Sequence, residues 1–255
     1  MKEYPLRTRF DKDIVAEVLF PKKQTGKILI LLSGAPSMPS KPDVMSFFAS
    51  KGYLCILPRL RGTWESDGEF LKECPSKDLF DIVDELTNKS FKGISTLEEP
   101  LEKNLHKVAV KNIYVLGASF GGTGALLASA HPKIKKVVAL APVIDWSVES
   151  DDEPFEFFVD FTRFAFGGAY RGKAANWKKL YANKIYSPIN PARKLDGEKI
   201  LILHAQDDDV VPIDPVYSFL RDTNAELKEY KKGGHLGLND ARRAKYYKEI
   251  EKFLK

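Results

Sequence analysis

Cysteine, histidine and long apolar runs are all scarce in this chain of 255 residues. The two cysteines, Cys55 inside an apolar run and Cys74 beside Pro75, have no metal-ligand spacing around them. A zinc module or disulfide scaffold is therefore excluded. Cys55 reads as a buried thiol, and a Cys55–Cys74 bridge rests only on these being the sole pair. No run approaches the ~20 apolar residues of a membrane-spanning helix, and the opening Met1 to Arg7 lacks the apolar core of a signal peptide. The expectation is a cytoplasmic protein with no membrane span. Charge of one sign is also nearly absent as a surplus: 40 Lys and Arg against 35 Asp and Glu leave +5. The lysines are dispersed among acidic residues, with no basic stripe interleaved with aromatics, so no nucleic-acid partner is expected.

What is present is 44% hydrophobic and 29% charged, enough for a large core in one α/β domain spanning 1–255. Strand-length apolar runs at 28–32, 53–57, 113–116, 137–140 and 199–204, with a more polar one at 227–230, alternate with helical-period segments at 42–51, 76–88 and 122–131. That alternation predicts a mainly parallel sheet with helices on both faces. Segments 6–10 and 14–20 flank the turn-like Asp11-Lys12-Asp13 and read as an antiparallel hairpin. From Asp240 onward, Tyr246, Tyr247, Ile250, Phe253 and Leu254 share one helical face.

One segment breaks the rhythm. Residues 146–195 lie between two strands and hold 11 of the 29 aromatics, too long a stretch for a plain connection. A small inserted helical lid is the expectation. Around 155–166 the apolar residues fall on nearly every side of a helix, so coverage on more than one face is expected. Phe157 and Phe161 stand there either as lid core or as substrate-binding wall.

After the strand 113–116 the chain reads Gly117-Ala118-Ser119-Phe120-Gly121-Gly122 and enters a helix of small residues. This is G-x-S-x-G in a strand–turn–helix setting: small flanking residues permit a strained turn that lifts the serine hydroxyl to the sheet edge, beside a helix N-terminus. A serine becomes a useful nucleophile only beside a positioned base, which itself needs an orienting carboxylate. Of four histidines, His106 lies in a charged stretch, His131 ends the elbow helix before Pro132, and His204 ends a strand with neighbours that suit a structural role. His235, in Lys232-Gly233-Gly234-His235, sits in a glycine-containing loop between the last strand and the last helix, and is the expected base. The acid is expected in Asp207-Asp208-Asp209, and spacing alone does not separate the three.

These residues resemble the α/β-hydrolase superfamily, closest to its esterase and oligopeptidase-like branches, over nearly the whole chain. His204 to Pro212 is similar to the family's H-G-x-x-D-x-x-V-P segment, and that register implies Asp208 as the acid. The order Ser119, Asp208, His235 matches the fold's nucleophile–acid–histidine order. Leu32-Ser33-Gly34-Ala35-Pro36 occupies the place of the family's H-G loop, with Ser33 where histidine is usual. By position it implies an oxyanion hole built from the backbone N–H groups of Ala35 and Phe120. Arg61 to Gly68 resembles R-G-x-G-x-S-x-G with Trp64 replacing a glycine. Trp64 is accordingly a candidate substrate-binding residue that either lines the entrance or packs on its loop.

The resemblance implies a serine hydrolase that cleaves small-molecule carboxylic esters through an acyl-enzyme, with no metal or organic cofactor. A peptidase, a thioesterase or acyltransferase, and a non-catalytic binder remain as alternatives on the same fold. An oligopeptidase of this type carries a filtering domain for which 255 residues leave no room, and a binder would be expected to lack a triad member, so ester hydrolysis leads. Serine rather than aspartate at 119 disfavours dehalogenase chemistry. Oligomeric state is left open.

Overall fold

The computed structural model describes residues 4–88, 94–95, 110–149 and 154–255; His106 lies outside them. The strands are β1 (Leu6–Phe10), β2 (Ile14–Leu19), β3 (Lys27–Leu32), β4 (Tyr53–Pro58), β5 (Ile94–Ser95), β6 (Asn112–Ala118), β7 (Ile134–Leu140), β8 (Ile200–Ala205) and β9 (Glu226–Tyr230). The helices are α1 (Pro42–Ser50), α2 (Ser76–Thr87), α3 (Phe120–Ala128), α4 (Phe155–Phe166), α5 (Ala174–Tyr181), α6 (Asp214–Thr223) and α7 (Ala244–Leu254).

Among the described residues the strands form one sheet in the order β5-β1-β2-β4-β3-β6-β7-β8-β9. The opening hairpin is antiparallel, Leu6 facing Val18 and Phe10 facing Ile14, and β2 pairs antiparallel with β4. From β4 to β9 every pairing is parallel. Side chains alternate across a strand, which explains why the central strands are apolar at every position. Ile28, Ile30, Ile113, Val115, Val137 and Ile202 point to one core, while Leu29, Leu31, Leu116, Val138 and Leu203 point to the other. Leu79, Ile82 and Val83 of α2 and Val216 and Phe219 of α6 cover the first face. Val44, Met45 and Phe48 of α1 with Tyr246, Ile250 and Leu254 of α7 cover the second. The predicted helices and strands are therefore present; the two-residue β5 and helix α6 lie outside the prediction. Cys55 and Cys74 are both free thiols, so no bridge forms between them. No described helix is long and apolar enough to cross a membrane.

The insertion contains α4 and α5 and is fastened to the body rather than hinged over it. Phe158, Trp177 and Leu180 share a third core with Phe70, Phe120 and Trp146. Backbone bonds from Arg171 N–H to Gly62 O (2.8 Å), from Phe70 N–H to Arg171 O (2.9 Å) and from Trp64 N–H to Ala169 O (2.8 Å) tie it to the loop after β4. The expectation that 155–166 is covered on more than one face is not met. Only Phe158 and Thr162 of α4 are buried, and Phe157, Phe161 and Phe164 remain 54%, 44% and 86% exposed. The helix lies at the rim, so the face carrying positions 158 and 162 packs inward and the opposite face stays open.

Candidate active site

Parallel strands deliver their C-terminal loops to one edge of the sheet, which is where such folds gather chemistry. Ser33–Ala35 follow β3, Ser119 follows β6, Asp207–Asp209 follow β8 and the His235 loop follows β9. Ser119 adopts φ 52°, ψ −123°, a left-handed conformation that is strained for a residue with a Cβ. The turn is locked by the Ser119 N–H donating to Leu140 O at 2.9 Å and by α3 starting at the next residue. Only glycine fits on either side. A Cβ at Gly117 would stand 2.0 Å from the Gly121 carbonyl oxygen, and one at Gly121 would stand 2.3 Å from Leu32 O. The motif's two glycines are thus each fixed by backbone contact. Leu32 O, against which Gly121 packs, belongs to the strand that feeds the Ser33–Ala35 loop.

The three aspartates separate cleanly. Asp208 is buried, and its Oδ1 accepts the N–H groups of Val210 (3.1 Å) and Val211 (2.9 Å). His235 Nδ1 lies 3.0 Å from Oδ2 and 3.1 Å from Oδ1. Burial alone would push the Asp208 carboxyl up, but hydrogen bonds from His204, His235 and Val211 outweigh it and hold the group well below the usual carboxylate range. Asp207 serves the same histidine differently: its Oδ1 accepts the N–H groups of Gly233 and Gly234, each at 2.8 Å, clamping the loop that carries the ring. Asp209 is exposed. Asp207→Ala is expected to lower kcat/KM roughly tenfold through a loosened His235 loop, whereas Asp207→Asn keeps an acceptor oxygen and stays near wild type. Steady-state kinetics of the two variants check this; equal losses would mean that charge rather than the clamp matters.

His204 has a larger part than its sequence context signalled. It is fully buried, with Nε2 2.9 Å from Val211 O and 3.3 Å from Asp208 Oδ2. Both neighbours are acceptors, so the proton sits on Nε2. Nδ1 is left buried without a partner. Asp208 is therefore held between two imidazoles, one interior and one at the rim, and the i, i+4 spacing of His204 and Asp208 across the strand end was the available signal.

Ser119, His235, Gly34, Ala35 and Phe161 line one cavity. Among the described residues no hydrogen bond yet joins Ser119 Oγ to the ring, a looseness common before substrate binds. A second cavity, bounded by Ser119, Phe120, Trp146, Phe155, Phe158 and Tyr181, opens beside it. A third lies behind the β3 loop and includes Ala35, Trp64, Phe70 and Tyr170. Ala35 borders all three. No carbonyl or side chain among the described residues accepts from the N–H of Ala35 or Phe120, so both donors are available. The Ser33 hydroxyl is likewise buried without a partner. Trp64 both lines its cavity and braces the β3 loop, its Nε1–H donating to Ser37 O at 3.2 Å. Its φ of 46° is one that glycine adopts freely, in keeping with the glycine it replaces. The Ser37 N–H donates to the Tyr170 hydroxyl at 2.9 Å. Phe161 reaches the cavity of Ser119, whereas Phe157 borders none of the three and stacks on Phe161 at 5.9 Å. Phe158, at the wall of the second cavity, was not singled out from sequence because a helical pattern gives relative faces and not which one turns inward. Among the described residues no cluster of three or more His, Cys, Asp or Glu is placed to hold a metal.

Solved structures share this architecture. An esterase of Pyrococcus furiosus superposes with TM-score 0.68 at 17% identity, covering 99% of this chain and 90% of its own. The acylaminoacyl peptidase of Pyrococcus horikoshii gives 0.63 at 20% identity, covering 99% of this chain and 41% of its own. Est1E from Butyrivibrio proteoclasticus, with ferulic acid bound, gives 0.64 at 17% identity, covering 98% and 100%. At these identities the likeness is one of fold, the α/β-hydrolase fold. No curated protein sequence matches the chain. The family profile that does match, the prolyl oligopeptidase family, spans residues 40–255, from the start of α1 through the elbow, the acid loop and the His235 loop, and so the chain belongs to the prolyl oligopeptidase family of serine hydrolases.

Proposed function

We propose that this enzyme hydrolyses carboxylic esters of small to medium acyl chain, with Ser119 as nucleophile, His235 as general base and Asp208 orienting the imidazole. The observation that carries the reading is the Asp208–His235 pair at 3.0 Å, its imidazole lining the same cavity as Ser119 at the strained turn.

The pair assigns the tautomer. With Nδ1–H donating to Asp208, Nε2 is left with its lone pair and takes the Ser119 proton as Oγ bonds to the carbonyl carbon. Charge then develops on the former carbonyl oxygen, and the N–H groups of Ala35 and Phe120 are the donors at hand for it; one such donor is worth ~10²- to 10³-fold in rate. The imidazolium, stabilised by the Asp208 carboxylate, returns its proton to the departing alkoxide as the tetrahedral adduct collapses to an acyl-serine. A water deprotonated by His235 attacks that acyl carbon, and the acid leaves. General acid–base action of this kind contributes ~10²- to 10⁴-fold.

Esters are favoured over amides because the second cavity at Ser119 is walled mostly by apolar side chains, Phe120, Trp146, Phe155, Phe158, Val210 and Val211 among them. Such walls gain from burying an acyl chain and offer little to a peptide backbone. A panel of nitrophenyl esters from short to long acyl chain, run beside aminoacyl and peptidyl amides, tests this. Higher kcat/KM on short and medium esters is expected. Amides cleaved as fast as esters would transfer the assignment to a peptidase, the reading that the family membership itself favours. Phe161→Ala is expected to shift the acyl-length preference by up to roughly tenfold, as losing about 50 Å² of contact would, and Phe157→Ala by much less. The reverse order would remove Phe161 from the pocket wall.

A further inference from the structure

The second cavity at Ser119 contains a charge that ester hydrolysis does not use. Among the described residues Asp145 is its single charged lining residue, and no lysine, arginine or histidine borders it. The carboxylate is occupied on one side only. Its Oδ1 accepts the Ser147 N–H (2.8 Å), the Ser147 hydroxyl (2.6 Å) and the Asn183 amide (2.5 Å), while among the described residues nothing donates to Oδ2. Partial burial works against the charged form, but the bonds from Ser147 and Asn183 prevail and keep the carboxyl below its ordinary range. An anion with one unpaired oxygen therefore lines a cavity whose other described walls, Ser119 apart, are rings and aliphatic groups.

That combination discriminates between ligands. A hydrocarbon chain that reaches Asp145 loses part of what the apolar walls return, because it strips water from Oδ2 and supplies no donor to a partly buried carboxylate. An ammonium supplies the missing opposite charge. It also meets an aromatic wall: Trp146, Phe155 and Tyr181 line the cavity, and the stacking of Phe155 on Tyr181 at 3.7 Å leaves one outer face on each of those two rings. The Trp146 Nε1–H is turned away, donating to Tyr186 O at 2.8 Å, so the indole offers the cavity no competing donor. Ring faces attract cations, quaternary ones included.

We propose that this cavity is a subsite for a positively charged substrate group, a primary or quaternary ammonium, and that Asp145 is its specificity-determining residue. The proposal rests on Ser119 being the nucleophile, and it narrows the substrate class from esters in general to esters bearing a cation on the acyl or the alcohol side.

Two matched pairs read it: butyrylcholine against 3,3-dimethylbutyl butyrate, in which carbon replaces the quaternary nitrogen, and nitrophenyl 6-aminohexanoate against nitrophenyl heptanoate. The wild type is expected to prefer the cationic member of at least one pair by about tenfold or more in kcat/KM, and Asp145→Asn to bring that ratio close to one. Asparagine keeps an amide oxygen for Ser147 and Asn183, so an unchanged Tm separates lost recognition from lost structure. Binding of benzyltrimethylammonium, measured by calorimetry on wild type and Asp145→Asn, reads the subsite without turnover; tighter binding to the wild type supports it even if no ester is hydrolysed, in which case the hydrolase reading alone fails. A wild-type preference for the neutral member of both pairs, or a ratio and a benzyltrimethylammonium affinity that Asp145→Asn leaves unaltered, would overturn the proposal.

Discussion

Asp208→Asn is expected to lower kcat/KM on every ester by on the order of 10⁴-fold, the scale on which neutralising a triad carboxylate acts, with little change in fold. The structure supplies the reason. Oδ1 accepts the N–H groups of Val210 and Val211, so an asparagine must keep its carbonyl oxygen there and turn its NH₂ toward the position of Oδ2. That NH₂ then faces His235 Nδ1 at the site of the 3.0 Å bond and donates to it. The ring is driven to carry its proton on Nε2, the atom that must accept from Ser119. The same NH₂ meets the Nε2–H of His204, 3.3 Å from Oδ2 in the native protein, adding a donor–donor conflict in the interior. Asp209→Asn, at an exposed position, should be nearly silent. Kinetics on one short nitrophenyl ester rank the variants. A severe Asp209→Asn beside a mild Asp208→Asn would place the acid elsewhere.

Ser119→Ala is expected to remove hydrolysis down to the residual ~10³- to 10⁴-fold over water that binding and oxyanion donors sustain without a nucleophile. The fold should survive. Alanine has the same Cβ as serine in the strained backbone at φ 52°, and the Ser119 hydroxyl makes no hydrogen bond among the described residues that its removal would break. Thermal unfolding near the wild-type temperature together with loss of turnover checks both halves. Retention of more than a few per cent of activity would mean that another group attacks the substrate.

The sheet and the elbow turn that carries Ser119 were legible in the sequence for physical reasons. Strands buried on both faces are apolar at every position, as in Ile28–Leu32, and the elbow's glycines are demanded by carbonyl oxygens 2.0 and 2.3 Å from where a Cβ would lie. His235 emerged by weighing four candidates. Asp208 did not emerge from spacing at all. Three consecutive aspartates look alike in a sequence, and only the resemblance to a family segment chose the middle one; in the structure it is the buried member, while Asp207 holds backbone N–H groups of the His235 loop. What stayed hidden depends on contacts between distant segments. Whereas His204 stands only four residues before Asp208, a spacing the sequence did display, Trp64 against Ser37 and the placing of Asp145 in a cavity with Phe155 and Tyr181 each join separate segments, and no local pattern encodes them. The open outer face of α4 was misjudged for the same reason, since a helix apolar on most sides does not say how many of those sides the rest of the chain reaches.

The central claim is that one serine, at the strained turn after β6, forms the covalent bond to substrate. Treating the folded protein with a fluorophosphonate and mapping the modified peptide tests it most directly. A single adduct on Ser119, absent in Ser119→Ala and formed much more slowly in Asp208→Asn, is the expected result; an adduct on Ser33 or Ser66 instead, or none on native protein that still hydrolyses esters, would contradict it.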